Sequence, residues 1–175
     1  KWDVSSVTDM SYMFSNAKSF NGDLSKWDVS SVNDMRAMFC DAIEFNSDLS
    51  KWDVSRVTDM NTMFCDTAVF NAELSSWDVS SVHDMRTMFY NAAAFNSDIS
   101  KWDVLSVFDM TRMFYNAISF KQKLCGAAWA RTMAIKIDMF EGSSGSILPP
   151  VCTHTRTLLL STKFGLLLYL SLIHI

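Results

Sequence analysis

Lys26–Ser50 reads KWDVSSVNDMRAMFCDAIEFNSDLS, and the same 25 letters, lightly edited, occur five times head to tail: Lys1–Ser25, Lys26–Ser50, Lys51–Ser75, Ser76–Ser100 and Lys101–Cys125. A period of this size without spacers marks a solenoid, in which each unit is too small to bury its own apolar side chains and its neighbours cover them. Positions unchanged from copy to copy face the same physical demand in each. They point to an α/β solenoid with one short strand and one short helix per 25-residue repeat.

Within one unit, Leu24-x-x-Trp27-x-Val29-x-x-Val32 has the spacing of a short strand that turns alternate side chains inward. Trp27 and Val29 are expected inside and Asp28 outside. The period then changes. Val32, Met35, Met38, Phe39 and Ala42 recur at three- and four-residue steps, the inner face of a short helix. Ser31-x-x-Asp34 just ahead resembles a capping box with Asp in place of Glu, and Ser6/Asp9, Ser81/Asp84 and Ser106/Asp109 repeat it. Asp9, Asp34, Asp59, Asp84 and Asp109 then belong to helix N-termini, where the dipole favours a carboxylate. Asn16, Asp41, Asp66, Asn91 and Asn116 suit the turn after the helix, and Asn21, Asn46, Asn71 and Asn96 are placed to satisfy backbone groups in the return turn. Ten of the twelve Met fall at two inward positions, as adaptable core filling.

WDVSSVTDMSYMF (residues 2–14), SFNGDLSKWDVSSV (residues 19–32) and their copies resemble the BspA-like leucine-rich-repeat surface proteins, also called bacterial surface protein repeats, over residues 1–125. The resemblance implies a leucine-rich-repeat-like right-handed coil, an extracellular or cell-surface setting, and binding or adhesion to protein or glycan. It names no ligand.

Composition agrees with a folded domain. The 175 residues are 49% hydrophobic, enough for a core, and the net charge of −4 offers no basic stripe for nucleic acid or anionic lipid. No Gly-rich phosphate loop, nucleophile motif or metal-spaced cluster is present, so neither an enzyme nor a cofactor is expected. His83 occupies a slot held elsewhere by Thr, Asn or Phe, which reads as surface variation rather than a base. The lack of an initiator Met predicts a piece of a longer chain, with oligomeric state left open.

The candidate ligand contacts are the outward Asp after each Trp: Asp3, Asp28, Asp53, Asp78 and Asp103. Like charges stacked about 5 Å apart repel, so something must compensate. One answer is local, with Lys1, Lys26, Lys51 and Lys101 two residues before and Ser hydroxyls or backbone N–H groups after. The other is a row of cation or ligand contacts. A second set of candidates varies between copies: Ser11/Tyr12, Arg36/Ala37, Asn61/Thr62, Arg86/Thr87 and Thr111/Arg112, with Thr8, Asn33, Thr58, His83 and Phe108. Cys40 and Cys65 share one slot in adjacent units, within reach of a disulfide or left as two buried thiols.

After Leu124 the period fades. Residues 126–153 read as a degenerate sixth repeat that caps the last apolar face, bracketed by Cys125 and Cys152, which could close it with a disulfide in an oxidising compartment. Residues 154–175 are expected to lack order. The apolar run Phe164–Ile175 is twelve residues, too short to span a bilayer. One reverse translation of Leu170–Ile175, CTGTCTCTTATACACATC, resembles a transposon adaptor used in sequencing libraries, so the tail reads as vector-derived, with a truncated membrane anchor as the alternative. Trp2–Val4 has no neighbour on its outer side, which predicts fraying or association at that edge. The leading functional expectation is a surface module that binds protein or glycan. The competing one is a passive structural spacer or coat element without a specific ligand.

Overall fold

The computed structural model describes residues 2–149. Regular elements are few and lie after the fourth repeat: a two-residue strand β1, Lys123–Leu124, a helix α1, Ala127–Arg131, and a strand β2, Ser146–Ile147, parallel to β1. The strand and helix expected in each repeat are not formed. In their place each unit runs as linked turns, and the backbone bonds that hold it lead into the next unit.

The hydrogen bonds give the reason. The N–H groups of Met13, Ser15 and Ala17 donate three residues back, to the carbonyls of Met10, Tyr12 and Phe14, at 3.3, 3.0 and 3.1 Å. Those of Met10, Tyr12, Phe14 and Asn16 donate instead to Asp34, Arg36, Met38 and Cys40 of the following unit, at 2.9, 2.9, 2.9 and 2.7 Å. A helix directs every N–H along its own axis; here every second one leaves. Two residues per unit take a left-handed backbone to make this possible: Tyr12 and Asn16, Ala37 and Asp41, Thr62 and Asp66, Thr87 and Asn91, Arg112 and Asn116, at φ between 51° and 60°. Asn and Asp tolerate that conformation. Tyr, Ala, Thr and Arg adopt it at a cost that the cross-unit bonds offset.

The pairing between units therefore falls downstream of the expected strand. Single parallel bridges link Asp9, Asp34, Asp59, Asp84, Asp109 and Ile135 in one column. The alternation at the Trp survives: Trp52 and Val54 are buried and Asp53 between them is exposed. A second column crosses units through side chains. The N–H of Asn46 donates to Asn21 Oδ1 at 2.9 Å, Asn71 to Asn46 at 2.9 Å, Asn96 to Asn71 at 2.7 Å, and Lys121 closes it on Asn96 at 3.0 Å. These Asn satisfy backbone groups of the next unit rather than of their own turn.

The core is a set of aligned columns. Phe14, Phe39, Phe64, Phe89, Phe114 and Phe140 stack at 5.5–5.6 Å, and each of the first five also lies 3.8–4.1 Å from the second Phe of its own unit, from Phe20 to Phe120. Met35, Met38, Val32 and Ala42 fill the space between, fully buried. Each central Trp is tethered to the Leu that stands three residues ahead of the preceding Trp. Trp52, Trp77 and Trp102 donate Nε1–H to the carbonyls of Leu24, Leu49 and Leu74 at 3.1, 3.0 and 2.9 Å.

Residues 126–149 continue the stack with one extra residue. Met110 donates to Ile135, a 25-residue step where Met85 to Asp109 takes 24, and Trp129 repeats the Trp tether on Ile99 at 3.1 Å. Gly142 stands at the left-handed slot of Asn116, at φ 73°, so close that a Cβ would overlap the Asn116 side chain. Only glycine fits there. The expectations for residues 150–175, including Cys152 and the apolar tail, lie outside the described residues. Among the described residues no helix is long and apolar enough to cross a membrane.

Candidate functional site

The column Asp3, Asp28, Asp53, Asp78 and Asp103 is exposed, as expected, and its compensation is local. Asp28 Oδ1 accepts both the N–H and the hydroxyl of Ser30, at 3.1 and 2.6 Å; Ser5, Ser55 and Ser80 serve Asp3, Asp53 and Asp78 in the same way, and Leu105 gives Asp103 its N–H at 3.1 Å. These turns hold Asp28, Asp53 and Asp78 below the usual carboxylate range, against the opposing push of the neighbouring charges on Asp28 and Asp53. Asp23, Asp48 and Asp98 form a similar column on Ser25, Ser50 and Ser100. Each carboxylate thus shapes its own turn.

The Asp expected at helix N-termini caps a turn instead. Asp9, Asp34, Asp59, Asp84 and Asp109 accept the N–H two residues on, at 2.8–2.9 Å. Alternate units add a cation: Arg36 lies 3.4 Å from Asp34 and 3.9 Å from Asp59, and Arg86 lies 2.6 Å from Asp84 and 3.9 Å from Asp109. Asp59, whose unit has Asn61 at the slot of Arg36 and Arg86, is pushed above its ordinary value by burial, with Asp84 and Asp34 adding to the rise.

That shift has a consequence for pH. A carboxyl raised in the folded state adds stability below its ordinary value of 3.8 and loses it as the pH rises through the folded value. The lowered carboxyls, Asp9, Asp23, Asp28, Asp48, Asp53, Asp78 and Asp98, act oppositely: their contribution is present above 3.8 and fades as the pH falls through their folded values. The protein is therefore expected to lose stability below about pH 4. Asp59→Asn, which keeps the acceptor for Asn61, should raise Tm at neutral pH and give no gain at pH 3. Thermal scans at both pH values check it; a lower Tm for the variant at neutral pH would refute the assignment.

The variable residues form columns that run from unit to unit. Thr8, Asn33, Thr58, His83 and Phe108 are all exposed, and their backbones form a continuous ladder, each N–H donating to the preceding carbonyl at 2.8–2.9 Å. His83 and Phe108 stack at 6.2 Å. In other columns Arg36 covers the Tyr12 ring at 5.7 Å, Arg112 covers Tyr115 at 5.6 Å while pairing with Asp138 at 3.1 Å, and Tyr90 stacks on Tyr115 at 5.1 Å. Ile118, Ile135 and Ile137 are further exposed apolar groups. Sequence reasoning treated Tyr90 and Tyr115 only as fillers of the cysteine slot and did not foresee that they stack on each other or that Arg112 covers Tyr115.

Cys40 and Cys65 are both free thiols rather than a disulfide. Cys65 Sγ donates to Asp66 Oδ2 at 3.0 Å, and the Cys40 sulfur, burial and Asp66 together push its thiol up, which keeps it protonated. Cys125 is disulfide-bonded, and Cys152 lies outside the described residues. Among the described residues no group of three or more His, Cys, Asp or Glu is placed to hold a metal ion.

No curated protein and no solved structure matches the chain. Residues 1–77 and 47–146, two overlapping stretches, match the profile of a family described as Mycoplasma protein of unknown function, DUF285, and the chain belongs to that family.

Proposed function

We propose that this chain is a non-enzymatic, BspA-like recognition module, a leucine-rich-repeat-like solenoid displayed outside the cell that binds protein or glycan through its variable columns. One observation carries the reading. Trp, Asp and Val at the start of each unit, and the inward Met and Phe, repeat unchanged, while the exposed slot of Thr8, Asn33, Thr58, His83 and Phe108 and the nearby slots of Tyr12 and Arg36 change residue from unit to unit along two parallel backbone ladders. Exposed Tyr and Arg on a rigid face are the groups that dominate protein interfaces. The Asp28 column supports it less, because its carboxylates are occupied by their own turns. That same uniformity favours the second reading, a spacer.

A glycan array and a panel of purified extracellular glycoproteins separate the two. Saturable binding that weakens by roughly tenfold or more in a His83→Ala, Phe108→Ser, Arg112→Ala triple variant, and is unchanged in Asp53→Asn, is the expected result. Absence of saturable binding across both panels would leave the spacer.

A further inference from the structure

Cys40 and Cys65 stand in one slot of adjacent units, which Ser15, Tyr90 and Tyr115 fill elsewhere in the stack. The junction sets their separation. On either side of Cys40, Phe39 donates to Met63 and Asp41 to Cys65, at 2.9 and 2.8 Å, so the two backbones run at the spacing of paired strands, about 5 Å. The next column keeps a similar step, with Phe39 and Phe64 stacked at 5.6 Å. In the slot itself Tyr90 and Tyr115 stack at 5.1 Å with their planes 8° apart, so side chains here leave the backbone in parallel. Cα atoms at this spacing lie inside the window of roughly 4.4–6.8 Å that a disulfide needs, while parallel Cβ atoms start a little wider than the roughly 3.5–4.5 Å it prefers. A bond between the two sulfurs therefore draws the units together, and a bond formed against such resistance is readily reduced.

The two thiols are not equivalent. Cys65 is buried and donates to Asp66 Oδ2 at 3.0 Å. Cys40 is half-buried, within reach of solvent, and lies 3.8 Å from Asp41 Oδ2. A hydrogen bond from Cys65 holds the Cys40 thiol below its ordinary value, against burial and the charges of Asp41 and Asp66. We propose that Cys40 and Cys65 form a reversible dithiol site for small-molecule disulfides, Cys40 attacking and Cys65 resolving, whose product is a covalent bond between the second and third units. Cys40 gives its proton to solvent, and its thiolate attacks one sulfur of the reagent, whose S–S bond breaks as the first small-molecule thiolate leaves. The Cys65 sulfur then attacks the Cys40 sulfur, and its proton passes to the second departing thiolate. Two cysteine thiols are oxidised, and one small-molecule disulfide is reduced to two thiols.

Oxidised glutathione, added to the whole chain at about pH 8, tests this. Tryptic digestion should recover Ala37–Lys51 joined to Val57–Arg86, with no glutathione on either peptide and the denatured protein still at the mass of one chain. Reduced glutathione in excess should return both thiols. Serine already fills the slot at Ser15, so each cysteine can be replaced singly. Cys65→Ser should hold one glutathione on Cys40, because nothing remains to expel it. In Cys40→Ser, Cys65 should react at least roughly tenfold more slowly than Cys40 does in Cys65→Ser. Should either variant fail to fold, the joined peptides of the unmodified chain stand as the test. An unmodified chain that keeps glutathione on Cys40, that yields no joined peptides, that joins them only between separate chains, or whose joined peptides survive reduced glutathione would overturn the proposal. Equal rates in the two Ser variants would overturn the assignment of attacking and resolving thiols.

Discussion

Phe64→Ala is expected to cost about 3–5 kcal/mol of folding stability, with Tm falling by roughly 10 °C. The ring is fully buried and lies 5.6 Å from both Phe39 and Phe89 and 4.0 Å from Phe70. Removing it takes a partner from four rings at once, since Trp77 also lies against it at 6.3 Å. The hole cannot close cheaply, because the backbone bonds from Phe39 to Met63 and from Phe64 to Met88, both 2.9 Å, fix the separation of the units above and below. Phe14→Ala removes the same group from a half-buried place with a neighbour unit on one side, and should cost about half as much. Urea unfolding of both variants checks this. In a stack whose units contact only their neighbours, the central lesion should also broaden the transition into two steps, while the edge lesion should not. Equal losses for Phe64→Ala and Phe14→Ala would mean that stability does not come from stacking.

The inward positions were legible from spacing alone: Val32, Met35, Met38, Phe39 and Ala42 are all buried. The element built from them was not. Steps of three and four residues say which side chains share a face, and a chain of turns with a left-handed residue at every fourth position produces the same steps as a helix. What separates the two is the direction of the N–H groups, which side-chain periodicity does not carry. A trace was present nonetheless. Asp41 and its counterparts, taken as the residue after a helix, are the ones suited to a left-handed backbone, and Thr62 and Thr87 are poor helix formers. The asparagine column was hidden for another reason. A residue that recurs every 25 positions can satisfy its own turn or the next one, and one copy reads the same either way. At the candidate site, the serines that occupy Asp28 and Asp53 could be read from the chain. The stacking of His83 on Phe108 and of Arg112 on Tyr115 required the fold, because those contacts depend on where each unit turns.

Trp77→Phe is the second large effect expected, a loss of about 2 kcal/mol, rising to about 3–5 kcal/mol for Trp77→Ala. The indole is 4% exposed, and its Nε1–H donates across the junction to the Leu49 carbonyl at 3.0 Å. That carbonyl also accepts the N–H of Trp52 at 3.1 Å, so the variant leaves it half-served rather than orphaned, which keeps the cost of the phenyl substitution moderate. The tethers form a relay: Leu74 takes the N–H of Trp77 at 3.1 Å and the indole of Trp102 at 2.9 Å. Because each link joins only two units, the damage should stay local. Hydrogen exchange in Trp77→Phe is expected to accelerate at the amides of Trp52 and Trp77 and to leave that of Trp129 unchanged. If the acceleration instead spreads evenly from Trp52 to Trp129, the units open together, and the pairwise tether is not what holds each one to the next.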